Sequence, residues 1–335
     1  MDGTLLPGYS VRPVVMDDLP AMVDLFNAFS RHQVDMDLFT VERLAPEWTH
    51  PVMNLETNTL AVFTQDHQPV GYMEFWDMSE PHVSLFGWGS VHPDHFGKGI
   101  SSFLVDWVVQ RARENVHLAQ EGARVGLRIY AESHNQAARS LFTGCGFQDI
   151  RTSYWMRIDF DQPPQSAQMP EGISVRPVQG EEDERAALFA AYEAFKDHWG
   201  HVDEPFESAY QRRRHFMDND PDYDPSLWFM AMEGNQVAGV SLCQSSLDGN
   251  PDLGWVSTLG VLRPWRKRGL GLALLQHSFS ELHKRGRSAV GLGVDASSLT
   301  GATRLYEKAG MRVSRRSTLY ELELRPGKDL TTQSI

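Results

Sequence analysis

The chain repeats itself at the scale of a whole domain, and this limits its fold more than any other feature. YSVRPV at 9–14 returns as ISVRPV at 173–178, with Val11 and Val175 standing 164 positions apart. AVFTQDHQPVGYMEF (61–75) is matched by FMAMEGNQVAGVSLC (229–243), with Gly71 and Gly239 separated by 168. SVHPDHFGKGISSFLVDWVV (90–109) parallels the stretch that contains VLRPWRKRGLGLALL (261–275), and Gly99 and Gly269 are 170 apart. LFTGCGF (141–147) parallels LYEKAGM (305–311) at 164 again. Repeat units of about 150 residues are domain-sized, which means duplication rather than a solenoid.

Each copy has the same order of elements. An opening strand precedes a helical region (17–31; 181–198), an irregular stretch and a β-hairpin. A strand, a glycine turn and a helix follow, then a strand (125–130; 289–294), a short helix (135–143; 300–308) and a closing strand (153–160; 317–324). Helices that follow strands imply crossovers onto a mixed sheet, with antiparallel strands from the hairpin. The expected class is α/β, two tandem domains each built on a mixed sheet flanked by helices. DFDQPPQSAQMPEG (159–172) lacks apolar periodicity and reads as a linker. The expected division is 1–158, linker 159–172, 173–326 and a frayed polar tail, 327–335.

A content of 41% hydrophobic residues with nine tryptophans suits packed interiors. The net charge of −13 argues against a general binder of nucleic acid or anionic membranes. Cys145 and Cys243 have no motif spacing, and no apolar run is long enough to span a bilayer. MDGTLLPGYS has no basic-then-apolar leader pattern, so a cytoplasmic protein is expected.

Within 261–275, Arg266, Lys267, Arg268, Gly269, Leu270 and Gly271 lie between a β-type run (Trp255, Val256, Leu259, Val261) and a helical pattern. Leu272, Leu275, Phe279 and Leu282 give that helix an apolar stripe. A strand end, a turn and a helix N-terminus leave backbone amides free for an anion, and the helix dipole adds roughly half a positive charge. Glycines at 269 and 271 allow close approach to the main chain. The third glycine of a dinucleotide fingerprint is missing, because Leu274 stands there, and no G-K-[ST] makes a P-loop.

These residues resemble the GCN5-related N-acetyltransferase (GNAT) superfamily, twice over. Arg266 through Gly271 fits its Q/R-x-x-G-x-G/A acetyl-CoA motif, and GATRLYEKAGM (301–311) fits its late A-x-x-L-Y segment. The tandem arrangement is similar to that of mycothiol synthases. The resemblance implies acetyl-CoA as co-substrate, with its diphosphate on amides of Arg268, Gly269 and Gly271, Arg266 nearby, and Lys267, Leu270 and Leu272 adjoining. It implies that Leu259, Gly260 and Val261 splay open to pair with pantetheine, and that Tyr306 protonates the leaving sulfur.

Between the copies, Tyr306 aligns with Phe142, Arg266 with Phe96 and Gly271 with Ser101. The first copy keeps Gly97, Lys98, Gly99 and Asn135, where the family often contacts cofactor, and the second has Ser298 in place of that asparagine. The first copy is therefore expected to be non-catalytic, with cofactor binding there left open. The family's early glutamate is replaced by Trp255. An amine of pKa about 10.4 needs a proton acceptor, and the resemblance favours His198, with Asp252 or a water chain as competitors. His198 with His201, and His92 with His95, have i, i+3 spacing but no completing cysteine or carboxylate, so no metal is expected. YQRRRHF (210–216) reads as a solvated helix face, with an acceptor-anion patch as the alternative. The expected partner is a small-molecule amine and the expected state a monomer or homodimer. An acyl-CoA-binding module without turnover, and an acyltransferase for a thiol-precursor acceptor, are the competing functions.

Overall fold

The computed structural model describes residues 7–78, 80–220, 223–247 and 250–333. In chain order the elements of the first half are β1 (Tyr9–Arg12), α1 (Leu19–Val34), α2 (Val41–Trp48), α3 (Leu55–Asn58), β2 (Thr59–Thr64), β3 (Pro69–Trp76), β4 (Ser84–Val91), α4 (Ile100–Asn115), β5 (Val125–Glu132), α5 (Gln136–Gly144) and β6 (Gln148–Asp159). The second half has β7 (Ile173–Pro177), α6 (Gly180–Phe195), α7 (Phe206–Asn219), β8 (Trp228–Glu233), β9 (Gln236–Gln244), β10 (Leu253–Val261), α8 (Leu270–Lys284), β11 (Ala289–Asp295), α9 (Ala302–Lys308) and β12 (Arg312–Arg325). Among the described residues no helix is long and apolar enough to cross a membrane.

The chain divides into two compact units, Met1–Arg151 with Ser317–Leu330, and Thr152–Arg316 with Thr331–Ile335. In the first the strands run β1-β2-β3-β4-β5-β12, antiparallel except for the β4/β5 pair. In the second they run β7-β8-β9-β10-β11-β6, again with one parallel pair, β10/β11. The expected closing strands form, but in exchanged places: β6 completes the second sheet and β12 the first. This replaces the contiguous division at 158 and 173.

Charge pairing gives a physical reason for the exchange. Arg128 on β5 is buried, and its register partner on β12 is the buried Glu321, 2.7 Å away. Glu321 also binds Arg124 at 2.6 Å. The equivalent pair in the second sheet is Leu292 with Met156 on β6. Had β6 stayed beside β5 in that register, the Arg128 guanidinium would be buried opposite a thioether with no carboxylate, which is costly.

Helices cover both faces of each sheet. In the second unit α6 and α7 bury Ala187, Leu188, Tyr210 and Met217 against β8 and β9. On the opposite face α8 buries Leu275, Phe279 and Leu282 with β11 and α9. Leu272 is only half-buried, and Leu270 and Leu274 take the inward positions instead. The tail is docked rather than frayed over 328–333. Lys328 N–H donates to Gly122 O at 2.8 Å in the first unit, and Thr332 exchanges 2.8 Å backbone bonds with Gly200 and His201 in the second.

Candidate active site

The second unit opens along β10. Its parallel pairing with β11 covers only Leu253–Trp255 opposite Ala289–Gly291. The register with β9 then shifts between Val256 and Thr258, so Ser257 is an extra, bulged residue whose hydroxyl donates to Leu242 O at 2.9 Å. A bulge bends its strand and increases the local twist, and among the described residues the rest of β10 has no strand partner on the β11 side. Leu262 N–H donates toward β9, to Ala238 O at 3.0 Å. Alternation along the strand turns the amides of Leu259 and Val261 the other way, onto the free edge. Gly260 faces α6, where a Cβ would sit 3.0 Å from that of Ala194.

A single tight turn (Arg263–Trp265) leads from β10 to the cradle. Lys267 and Gly269 both adopt the left-handed conformation, at φ +62° and +85°, and Gly269 caps α8. A Cβ on Gly269 would meet nothing within 4 Å. The first-turn amides of α8 therefore face open space, and the site fits a diphosphate by geometry and by dipole.

The basic run serves two purposes. Arg266 is turned inward: its Nε donates to Val261 O at 3.0 Å, one Nη to Ala194 O at 3.2 Å and the other to the buried Asp197 at 2.5 Å. Arg263 binds the same carboxylate. Arg268 pairs with Glu233 at 2.9 Å, and Lys267 has no ion pair among the described residues. The Arg266 side chain, expected near a diphosphate, instead ties the end of α6 to the exit of β10. Gly271 also differs from expectation, since a Cβ there would come within 3.0 Å of Leu305, so the small residue lets α9 pack on α8. Leu270 is in the core.

Arg263 and then Arg266 hold the Asp197 carboxyl well below its usual range. A folded-state pKa below the unfolded value stabilises at pH above about 3.9, and that stability is lost as pH falls below it. We expect Asp197→Asn to cost about 3 kcal/mol at neutral pH, because two guanidinium groups lose a buried counter-ion. Urea midpoints at pH 7 and pH 3 check this, with the gap between wild type and variant narrowing at pH 3.

His198 lies just beyond α6, its ring 4.1 Å from that of Phe195. Burial, then the Arg266 charge, lowers its pKa, and Asp197 and Asp295 oppose this. Asp295 ends β11, so His198 stands by the splay. Asp252 precedes β10 at its opposite end. At about 3.3 Å per residue it is roughly 20 Å from Thr258, too far to take a proton from an amine there. Tyr306 is buried on α9 among the residues that α8 and β11 bury, and its hydroxyl has no hydrogen-bond partner among the described residues. Burial pushes its pKa up to about 12. Ser298 lies in the turn before α9, bonded to Thr300 at 3.0 Å, while Gly301 caps the helix.

The first unit keeps the turn, and there too β4 pairs with β5 only over 84–87, leaving 88–91 without a partner on that side among the described residues. Gly97 and Gly99 repeat the left-handed pair at φ +74° and +82°. Lys98 approaches His95 at 3.5 Å, and the exposed Phe96 packs on His32. The β3/β4 register runs from Gly71↔Val91 to Trp76↔Phe86 without a bulge. Asn135 caps α5 through Ala138 N–H at 2.9 Å and binds Gln33 at 3.0 Å. Phe142 is buried against Tyr320. Where Leu242 faces Thr258 in the second unit, Glu74 faces Trp88 here. The Trp88 indole packs on Phe26 and Phe39 at 4.8 and 5.4 Å, and fills the space beside the strand.

Ser257, Thr258 and Asp197 were missed as site-shaping residues. The bulge left a trace, because the spacing between copies lengthens from 168 at Gly71/Gly239 to 170 at Gly99/Gly269. No group of three or more histidine, cysteine, aspartate or glutamate residues suited to a metal occurs among the described residues.

The Acetyltransferase (GNAT) family profile matches residues 188–311, and a second Acetyltransferase (GNAT) domain profile matches 56–149. A mycothiol acetyltransferase of Streptomyces scabiei is 30% identical over 261 residues, 76% of either chain. A GCN5-related N-acetyltransferase from Sphaerobacter thermophilus has 33% identity and a TM-score of 0.80, covering 98% of this chain and 99% of that one. A tandem GNAT protein from the clavulanic acid biosynthesis pathway shares the fold, with a TM-score of 0.72 at 16% identity over 96% of this chain and all (100%) of that one. The class is that of an acyltransferase drawing on acyl-CoA. The chain belongs to the GNAT family of acetyltransferases, as a member with two copies in tandem.

Proposed function

We propose that the second unit transfers acetyl from acetyl-CoA to the amine of a small molecule by direct attack in a ternary complex, and that the first unit does no chemistry. The observation that carries this reading is the contrast between copies: a bulged strand and a buried tyrosine occur in the second, whereas the first has a strand without a bulge, its edge occupied by Trp88, and Phe142 in place of the tyrosine.

Acetyl-CoA supplies an activated thioester. The α8 amides hold its diphosphate, and the free edge at Leu259 and Val261 aligns pantetheine and polarises the carbonyl, where preorganised donors act on developing charge. His198, kept neutral by its surroundings, accepts the proton of the attacking amine. A C–N bond forms, the C–S bond breaks, and Tyr306 gives its proton to the departing sulfur. A phenol with its pKa raised to about 12 is fully protonated at neutral pH and able to donate. A second reading, that the chain shares the reaction of the relatives called mycothiol acetyltransferases, is favoured by the 30% identity to the one from Streptomyces scabiei.

The test is acetylation of an amine panel with labelled acetyl-CoA across pH. Neutral His198 is the active form and its pKa is depressed, so kcat/KM is expected to rise with pH through a midpoint below about 6.5 and then level. His198→Gln is expected to lower kcat by about 100-fold and erase that limb. An unchanged limb in the variant removes His198 as the base, and transfer to no amine removes the reading as a whole.

A further inference from the structure

The arginine run 212–214 on α7 does not act as one patch. Arg212 pairs with Glu204 at 2.7 Å, and Arg214 pairs with Glu184 at 2.9 Å and Asp218 at 2.5 Å. Both are neutralised along the helix flanks. Arg213 points elsewhere and lines a cavity of about 210 Å³ between α6, α7, β9 and β10. Its guanidinium makes no hydrogen bond or ion pair among the described residues.

The remaining wall is uncharged and largely aromatic, from Tyr192, Phe195, Phe206 and Tyr210. Arg213 is exposed to solvent, and the atoms packed around it lower its pKa by desolvation, with Asp220 and Tyr223 acting the other way. It is therefore an exposed cation on the cavity's lining, set apart from its two neighbours by having no ion pair among the described residues. Thr258, at the start of the free β10 edge, forms the cavity's inner side, and Phe195 also carries the His198 ring. The cavity thus adjoins the place where an amine must stand to attack. In the first unit the position of Thr258 is taken by Trp88.

We propose that this cavity holds the acceptor, and that Arg213 selects an amine which also carries an anionic group, a carboxylate or a phosphate, on an apolar body. This rests on the assignment of acetyl transfer to the second unit. The size limits the acceptor to roughly that of an amino acid, since drug-sized sites begin at about 300 Å³. A guanidinium without an ion pair beside aromatic rings is free to make a bidentate, charge-assisted bond to an oxyanion. An amine without an anionic group lacks that bond, and this is the source of selectivity.

The test uses the full chain and two readouts. Calorimetry compares 3-phenylpropionate, phenyl phosphate and 3-phenylpropan-1-ol on wild type, Arg213→Gln and Arg213→Lys. At least one anion is expected to bind about ten- to a hundredfold more tightly than the alcohol, with Gln abolishing the preference and Lys keeping most of it. The stronger of the two anions identifies the group. Acetylation of L-phenylalanine against phenethylamine, and of phosphoethanolamine against ethanolamine, should show the same preference in KM. Equal binding of acid, phosphate and alcohol overturns the proposal, as does a preference that survives Arg213→Gln. Arg213-dependent anion binding with no amine acetylated upholds the anion site and overturns acetyl transfer instead.

Discussion

Tyr306→Phe is expected to reduce kcat by about 100- to 1,000-fold while acetyl-CoA binds as before, the range for loss of a positioned general acid. The hydroxyl contributes no hydrogen bond to the fold among the described residues, so its removal leaves the packing of α9 on β11 intact. The first copy already carries this substitution, since Phe142 fills the equivalent place and is buried on its own sheet. Initial rates of CoA release, with calorimetric acetyl-CoA affinity on the same preparation, check the expectation. Equal rates in the two proteins would mean that the thiolate leaves without help and that Tyr306 is a core residue only.

Gly269→Glu is expected to lower turnover by at least about 100-fold, through acetyl-CoA affinity. A side chain there has room, with no atom within 4 Å of its Cβ, so the fold survives. The left-handed φ of +85° adds strain of about 1 kcal/mol. What it changes is charge: a carboxylate in front of the α8 amides satisfies them and repels a diphosphate. Gly269→Ala carries the strain without the charge, and is expected to lose less than tenfold. Saturation curves for acetyl-CoA distinguish the two, with KM rising steeply for Glu alone.

Much of the fold was legible because its signals are local. Alternation in 61–75 and 229–243 predicted the hairpins, and the glycine turns at 97–99 and 267–269 kept their left-handed geometry in both copies. The strand exchange was not legible from period, because 153–160 and 317–324 alternate alike. Its determinant, Arg128 opposite Glu321 against Leu292 opposite Met156, acquires meaning only once the buried face of β5 is known. The site divided in the same way. The cradle and Tyr306 stood out by motif, while Arg266 was assigned to the ligand because nothing in its neighbours along the chain announces Asp197, 69 positions earlier. Arg213 was hidden in a run of three arginines, and only helix direction separates it from the two that are paired.

The central claim is that the loop before α8 is the acetyl-CoA diphosphate site of the unit that does the chemistry. Calorimetric titration of acetyl-CoA into wild type and Gly269→Glu tests it most directly. The account predicts that the variant loses one binding site per chain relative to wild type, and loses turnover with it. An unchanged stoichiometry and affinity in the variant would contradict the account.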